Sequence, residues 1–250
     1  MGNQNTRNMS KSIIILVAAL LMAVSMPAQG LKDLANKAKT ALTGGVPLSE
    51  AEIGDALKEA LDKGAGDAVS FLSAPDGYYK TAYKILLPAE AQQVTAKLKM
   101  VPGFENVEAQ LVEKMNRAAE SAAAKAKPIL VDAIRQMTIR DAMNLLMGEK
   151  DAATRYLERT TSEQLYLAFK PVIVEALDEV NAREYWRGAV TAYNRIPLVK
   201  KTNPELDDHV TRTALAGMFA LVEKKEAEIR ANPAARSSEL LKKVFAKQDK

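Results

Sequence analysis

No cysteine occurs anywhere in these 250 residues. Disulfides, thiolate metal sites, thiol nucleophiles and the lipid-bearing cysteine of a bacterial lipoprotein are excluded together, so the fold has to rest on packing. His209 is the only imidazole. Sites that need two or three His go with it, including the di-iron bundles built from paired Glu-x-x-His motifs. Aromatic residues contribute 5% while apolar residues reach 48%. With Ala and Leu abundant, that balance favours helices packed through small side chains over a β-sandwich, which wants Val, Ile, Tyr and Thr. A glycine-rich phosphate loop and the Gly-x-Ser-x-Gly nucleophile elbow are both missing.

A surplus of one charge is missing too. The formal net charge is +4, and removing Arg7 and Lys11, the only ionisable side chains of residues 1–30, leaves 33 basic against 31 acidic residues. The two signs interleave, as in Glu223-Lys224-Lys225-Glu226, which reads as a solvated helical face. Binding to nucleic acid needs a concentrated basic patch, so nucleic acid is not expected as a partner.

One long apolar run is present, Ile13 to Val24, preceded by Arg7 and Lys11 and followed by Ala28-Gln29-Gly30. It is well short of the roughly 20 residues of a spanning helix. A positive flank, a short apolar core and small residues two apart describe a cleavable export signal. The expected organisation is therefore a signal peptide over residues 1–30, cut near Ala28 to Gly30, and a helical domain over residues 31–250. The expected address is the periplasm.

Helical signals fill the remainder. Residues 31–43 read as a short amphipathic helix closed by Gly44-Gly45. Ser49-x-x-Glu52 is a capping box, and Ile53, Leu57, Leu61, Gly64, Ala68 and Leu72 mark the buried face behind it. Gly64 and Gly66 either weaken that helix or admit a close neighbour. Pro75-Asp76-Gly77 signals a turn. The stretch from Tyr78 to Pro88 is either a loop docked by Tyr78, Tyr79, Tyr83 and Leu86 or a short helix. Residues 89–100 read as helical, and Val107, Leu111, Met115, Ala118 and Ala122 form the next stripe. Pro128 kinks or restarts the helix carrying Ile129 to Met137, Thr138-x-x-Asp141 caps a helix stopping at Gly148, and Asp151 opens one reaching Arg159. Thr160-x-x-Glu163 then starts a segment with Leu165, Phe169, Val172, Ala176 and Val180 inward and a kink at Pro171. Residues 182–195 and 205–232 are helical, the latter with Leu215, Phe219, Val222 and Ile229 inward. Ser237 or Ser238 starts a last helix carrying Leu241, Val244 and Phe245. No run reads as a paired strand. The expected fold is all-α, a single multi-helix, bundle-like domain.

The runs at 49–61 (SEAEIGDALKEAL), 115–122 (MNRAAESA), 132–148 (DAIRQMTIRDAMNLLMG), 151–165 (DAATRYLERTTSEQL) and 228–245 (EIRANPAARSSELLKKVF) resemble, in that order, an exported bacterial family known as domain of unknown function 4197. The resemblance implies one all-helical domain behind a signal peptide and brings no activity with it. It also implies that Tyr is accepted at the position of His209, so no shared role for the imidazole follows.

Several constellations carry chemistry on paper. Asp207-Asp208-His209, with Glu205, could hold a divalent cation, but Asp207 as a helix cap and Asp208 at the positive helix end explain them better. Arg117 with Glu120, and Arg230 with Arg236, could grip a carboxylate or phosphate; a surface pair such as Glu226–Arg230 is the plainer explanation. Arg183, Tyr185, Trp186, Arg187, Tyr193 and Arg195 could form a membrane-interface or partner-binding face, although Trp186, Ala189, Val190 and Tyr193 fit core spacing. Thr160-Thr161-Ser162 and Ser237-Ser238 lack the base a nucleophile requires and read as caps. No residue is assigned a catalytic, cofactor-binding or metal-binding role, and no cofactor is implied. The expected function is binding of an envelope protein or a small apolar or anionic ligand rather than catalysis. The alternatives are a carboxylate- and arginine-based, metal-assisted enzyme and a protein that touches anionic membranes through Lys242, Lys243 and Lys247.

Overall fold

The computed structural model describes residues 48–88, 91, 92, 95, 105–179, 181–195, 197, 198, 201, 203 and 205–246. The export signal, the helix expected at 31–43 and most of the one expected at 89–100 lie outside them. Eight α-helices are bounded within the described residues: α1 Glu50–Ser73, α2 Val107–Ala123, α3 Ala126–Gln136, α4 Ile139–Leu146, α5 Ala152–Asp178, α6 Ala182–Tyr193, α7 Leu206–Ala231 and α8 Glu239–Phe245. No strand occurs among the described residues. The all-α expectation holds.

Three long helices, α1, α5 and α7, organise the core. The last of them packs on both others, α2 lies on α5, and α1 also receives α3, α4 and α8. The start of α1 is set as the sequence indicates: the Ser49 hydroxyl accepts from the Glu52 amide at 3.2 Å while the Glu52 carboxylate accepts from the Ser49 amide at 2.8 Å. Its predicted face is buried throughout, Ile53, Leu57, Leu61, Gly64, Ala68 and Leu72 included. Each such Leu stabilises the fold by about 1.5–3 kcal/mol. The two glycines of α1 have different meanings. A Cβ on Gly64 would stand 3.6 Å from the Lys225 Cβ and 3.7 Å from Ile229, so α7 approaches closely there, whereas Gly66 faces open space.

The second half of α5 differs from the expected reading. Instead of one helix ending at Arg159 and another opening at Thr160, the chain runs unbroken from Ala152 to Asp178. The hydroxyls of Thr160, Thr161 and Ser162 turn back onto the carbonyls of Tyr156, Leu157 and Glu158 at 2.8, 2.6 and 2.6 Å. They are satisfied inside the helix and cap nothing. Beyond Pro171 the buried residues are Ile173 and Leu177 rather than Val172 and Ala176, which are half-buried; Val180 is not described. Continuing the Leu165–Phe169 line by steps of four gives Ile173 and Leu177, and the expected stripe left that line by one residue.

Residues 74–88 form a docked loop, not a helix. Asp76 takes the left-handed conformation, φ 67°, and a Cβ on Gly77 would overlap the Phe71 and Leu72 carbonyls, so only glycine fits. The loop is anchored by Tyr78, Ile85 and Leu87, all buried, while Leu86 is 55% exposed and docks nothing. Two buried polar residues of α2 hold its backbone. The Asn116 amide accepts from the Ile85 N–H and donates to the Ile85 carbonyl, both at 2.8 Å. Glu120 accepts from the amides of Tyr78 and Tyr79 at 3.2 and 3.1 Å. Leu111, expected in the core, is only half-buried, and Val112 is buried beside it.

Candidate functional site

The carboxylates flagged at the start of α7 converge on cations. The helix begins one residue after Glu205, so Asp207 lies inside its first turn and is no cap. Asp207 is 1% exposed and meets the Arg183 guanidinium at 3.2 Å and the Lys170 ammonium at 3.5 Å. Asp208 accepts from the Tyr166 hydroxyl at 2.7 Å, from Arg212 at 2.9 Å and from the Asn203 amide at 2.8 Å. Burial pushes the Asp208 carboxyl up, but the Tyr166 hydroxyl and Arg212 outweigh it and hold the group below the usual carboxylate range. Glu205 pairs with Arg187 at 2.9 Å. The His209 Nε2 lies 3.0 Å from the Leu86 carbonyl, which can only accept, so that nitrogen carries the proton. Among the described residues no group of three His, Asp or Glu is placed to hold a metal.

Arg117 and Glu120 are joined at 2.8 Å, and Arg117 reaches on to Asp76 at 2.8 Å. The arginine thus locks the left-handed turn to α2. Arg230 and Arg236 are likewise structural. Glu226 and Arg230 do form the expected i,i+4 pair, at 2.8 Å, but with side chains only 6% and 12% exposed, so it is no surface pair. Glu226 accepts from the amides of Ala153 and Thr154, at 3.2 and 2.8 Å, and from the Thr154 hydroxyl at 2.8 Å. Arg230 donates to the carbonyls of Leu145 and Leu146 at 2.8 and 3.2 Å. The pair sets a negative group at the start of α5 and a positive one at the end of α4, each matching the local helix dipole. Arg236 is 2% exposed and donates to the Ile229 and Arg230 carbonyls at the end of α7, its guanidinium 5.6 Å from the Phe245 ring.

Trp186 and Val190 are buried, as their spacing suggested, and the Trp186 indole donates to the Asn203 carbonyl at 3.2 Å; the side chains of Tyr185, Ala189 and Tyr193 are outside the described set. Ser238 caps α8 through the Leu241 amide at 3.2 Å. That helix turns Leu241, Val244 and Phe245 into the core, and Lys242 pairs with Glu239 at 2.8 Å. Lys247 is not described.

The concavities differ in kind. An apolar crevice between α1, α7 and α8 holds about 20 Å³, room for about one water. A hollow of about 380 Å³ along the flank of α6 includes Arg187, already paired with Glu205. Between α3 and α5 lies a groove of about 190 Å³ lined by Asp132, Gln136, Tyr156, Thr160 and Gln164, with Ile129, Ala133 and Thr161 completing it. Asp132, Gln136 and Gln164 have no partner among the described residues. Of these residues only Thr160 and Thr161 were weighed individually for a role in the sequence, and both read as caps. The signal was nonetheless present: Asp132 and Gln136 stand four apart on one helix, and Tyr156, Thr160 and Gln164 repeat every four on the other, a polar stripe on each.

The sequence profile described as "Protein of unknown function (DUF4197)" matches residues 47–246. The chain belongs to the DUF4197 family. The match covers every described helix of this family member, from α1 to the end of α8. No curated protein and no solved structure matches the chain.

Proposed function

We propose that this DUF4197 protein is an exported binding protein that holds a small ligand in the groove between α3 and α5 and acts by binding rather than by chemistry. The observation that carries the reading is a contrast in how polar side chains are used. Glu120, Asp207, Glu226 and Arg236 are all engaged with backbone or with a counter-charge in the core. Asp132, Gln136 and Gln164 share one concavity and are engaged with nothing among the described residues. Uncommitted polar groups converging on a concave site are what a small-molecule site offers. The two helices pack on each other and fix the backbone of each residue, so only the side chains remain to be ordered when a ligand arrives. Export supports an envelope setting and rests on the pattern from Arg7 to Gly30.

The test is what the protein carries. Protein released gently from its native envelope is examined by native mass spectrometry beside two variants, Ala133→Trp, which fills the groove, and Gln164→Ala, which only trims its wall. A small molecule retained by the wild type and lost from both folded variants supports the reading. Equal retention in all three, or turnover of that molecule by the wild type, overturns it.

A further inference from the structure

We infer that the groove between α3 and α5 receives a neutral sugar ring bearing adjacent hydroxyls. This rests on the proposal that the groove is a binding site and concerns which chemistry it accepts. The first constraint is size. At about 190 Å³ the groove falls below the roughly 300 Å³ at which pockets for drug-sized ligands begin, so one small ring is the natural occupant.

The second constraint is the inventory of donors and acceptors. Gln136 and Gln164 each offer a carbonyl and an NH₂, and Asp132 offers two acceptor oxygens. Burial, with Asp141 nearby, pushes the Tyr156 phenol above its ordinary value, so it stays a protonated hydroxyl. A sugar hydroxyl donates and accepts at once. It therefore satisfies both ends of a carboxamide, and a pair of adjacent hydroxyls can donate to the two oxygens of one carboxylate. An ammonium ion only donates and would leave the NH₂ groups of both glutamines unmatched. A phosphate or carboxylate would face Asp132, with no cation in the lining. The third constraint is the apolar part of the wall. Ile129 and Ala133 come from the same helix as Asp132 and Gln136, which suits the C–H face of a ring whose edge is hydroxylated.

The same chemistry could be presented by a free monosaccharide or by one residue of a glycan chain. The experiment is titration of the mature chain by protein-observed NMR or calorimetry with D-glucose, N-acetyl-D-glucosamine, the β-1,4 dimer of the latter, 1,4-diaminobutane and inorganic phosphate. Each probe is repeated on Gln136→Ala/Gln164→Ala, on Asp132→Asn, and on Lys63→Ala as a distant control. Asp132, Gln136 and Gln164 are exposed, so these variants keep the fold, which circular dichroism checks. The expected result is saturable binding of at least one neutral sugar at about millimolar Kd or tighter. The double variant weakens it at least about tenfold and Lys63→Ala leaves it unchanged. Stronger binding of the monomer points to a free sugar, and stronger binding of the dimer to a glycan. Preferential binding of the diamine or phosphate, lost in the same variants, overturns the sugar assignment while leaving the groove a site. No probe binding, or binding indifferent to the groove variants, overturns both.

Discussion

Replacing Glu226 with Gln should be among the most damaging single-atom changes available to this fold, although the residue lies on what its sequence spacing suggests is an ordinary helix surface. The two carboxylate oxygens accept from Ala153 N–H, Thr154 N–H, the Thr154 hydroxyl and Arg230. The amide of Gln offers one acceptor oxygen and places an NH₂ against donors on the other side. Ala153 N–H and Arg230 share Oε1 while Thr154 uses Oε2, so either the Ala153 amide and the guanidinium lose their acceptor together or the Thr154 amide loses its own. Ala153 and Thr154 are 1% and 4% exposed, so water cannot take over. A buried donor left unsatisfied costs about 1–3 kcal/mol, and removing one partner of a buried ion pair costs about 3–5 kcal/mol. These overlap, because the same oxygens serve both, so about 3–4 kcal/mol is expected for Glu226→Gln.

For a domain of this size each kcal/mol moves the melting temperature by roughly 2–4 °C. A fall of about 6–16 °C by circular dichroism is the outcome to look for. The control is Lys63→Ala, which breaks an i,i+4 pair of the same spacing, with Asp67 at 3.2 Å, but with side chains 40% and 50% exposed. Such a pair contributes only about 0.3–0.5 kcal/mol. A double-mutant cycle with Arg230→Gln should show strong coupling, since the two residues act through one network. Equal melting shifts for Glu226→Gln and Lys63→Ala would refute the capping argument.

Three further outcomes follow from the same geometry. Asp208 has its carboxyl held low by Tyr166 and Arg212; the stability this gives is fully present above the unfolded value of about 3.9 and is lost as pH falls through the lower folded value. The melting temperature should therefore drop below about pH 4, and Asp208→Asn should flatten that limb; an unchanged slope counts against the assignment. His209→Gln keeps a donor for the Leu86 carbonyl and should leave melting nearly unchanged, and EDTA should not shift the wild-type melt; loss of function with folding intact, or an EDTA-dependent fall, would favour the metal-assisted alternative. N-terminal sequencing of envelope protein should begin near Gln29 or Leu31, and recovery of Met1 would remove the export reading.

How much of this could be read in advance depends on the range of the interaction that decides each residue. Caps are local, and Ser49 with Glu52 and Thr138 with Asp141 were legible because all the atoms involved lie within four residues. Apolar periodicity is nearly as local, so the buried faces of α1 and α7 were legible as well. It misled where a rival line of apolar residues ran alongside, as with Val172 against Ile173, or where a neighbour took the buried place, as with Leu111 and Val112. Thr160 shows the limit of a short motif: its capping pattern has to compete with a helix already held from both sides by Leu157 and Leu165, both fully buried, and packing prevails over a cap worth about 1 kcal/mol. The polar residues escaped for a different reason. Glu120 reaches 42 residues back to Tyr78, and Glu226 reaches 73 residues back to Ala153; nothing local marks a glutamate that will cap someone else's helix. The groove follows the same rule. Asp132 and Gln164 are ordinary surface residues until α3 is laid beside α5, and a groove assembled from two helices has no signature on either helix alone beyond a polar repeat of four. In this protein the charges that looked most like chemistry are committed to backbone, as Glu120 and Glu226 are, or to counter-charges, as Asp207 is, and the plain surface stripes are the ones on which the binding proposal rests.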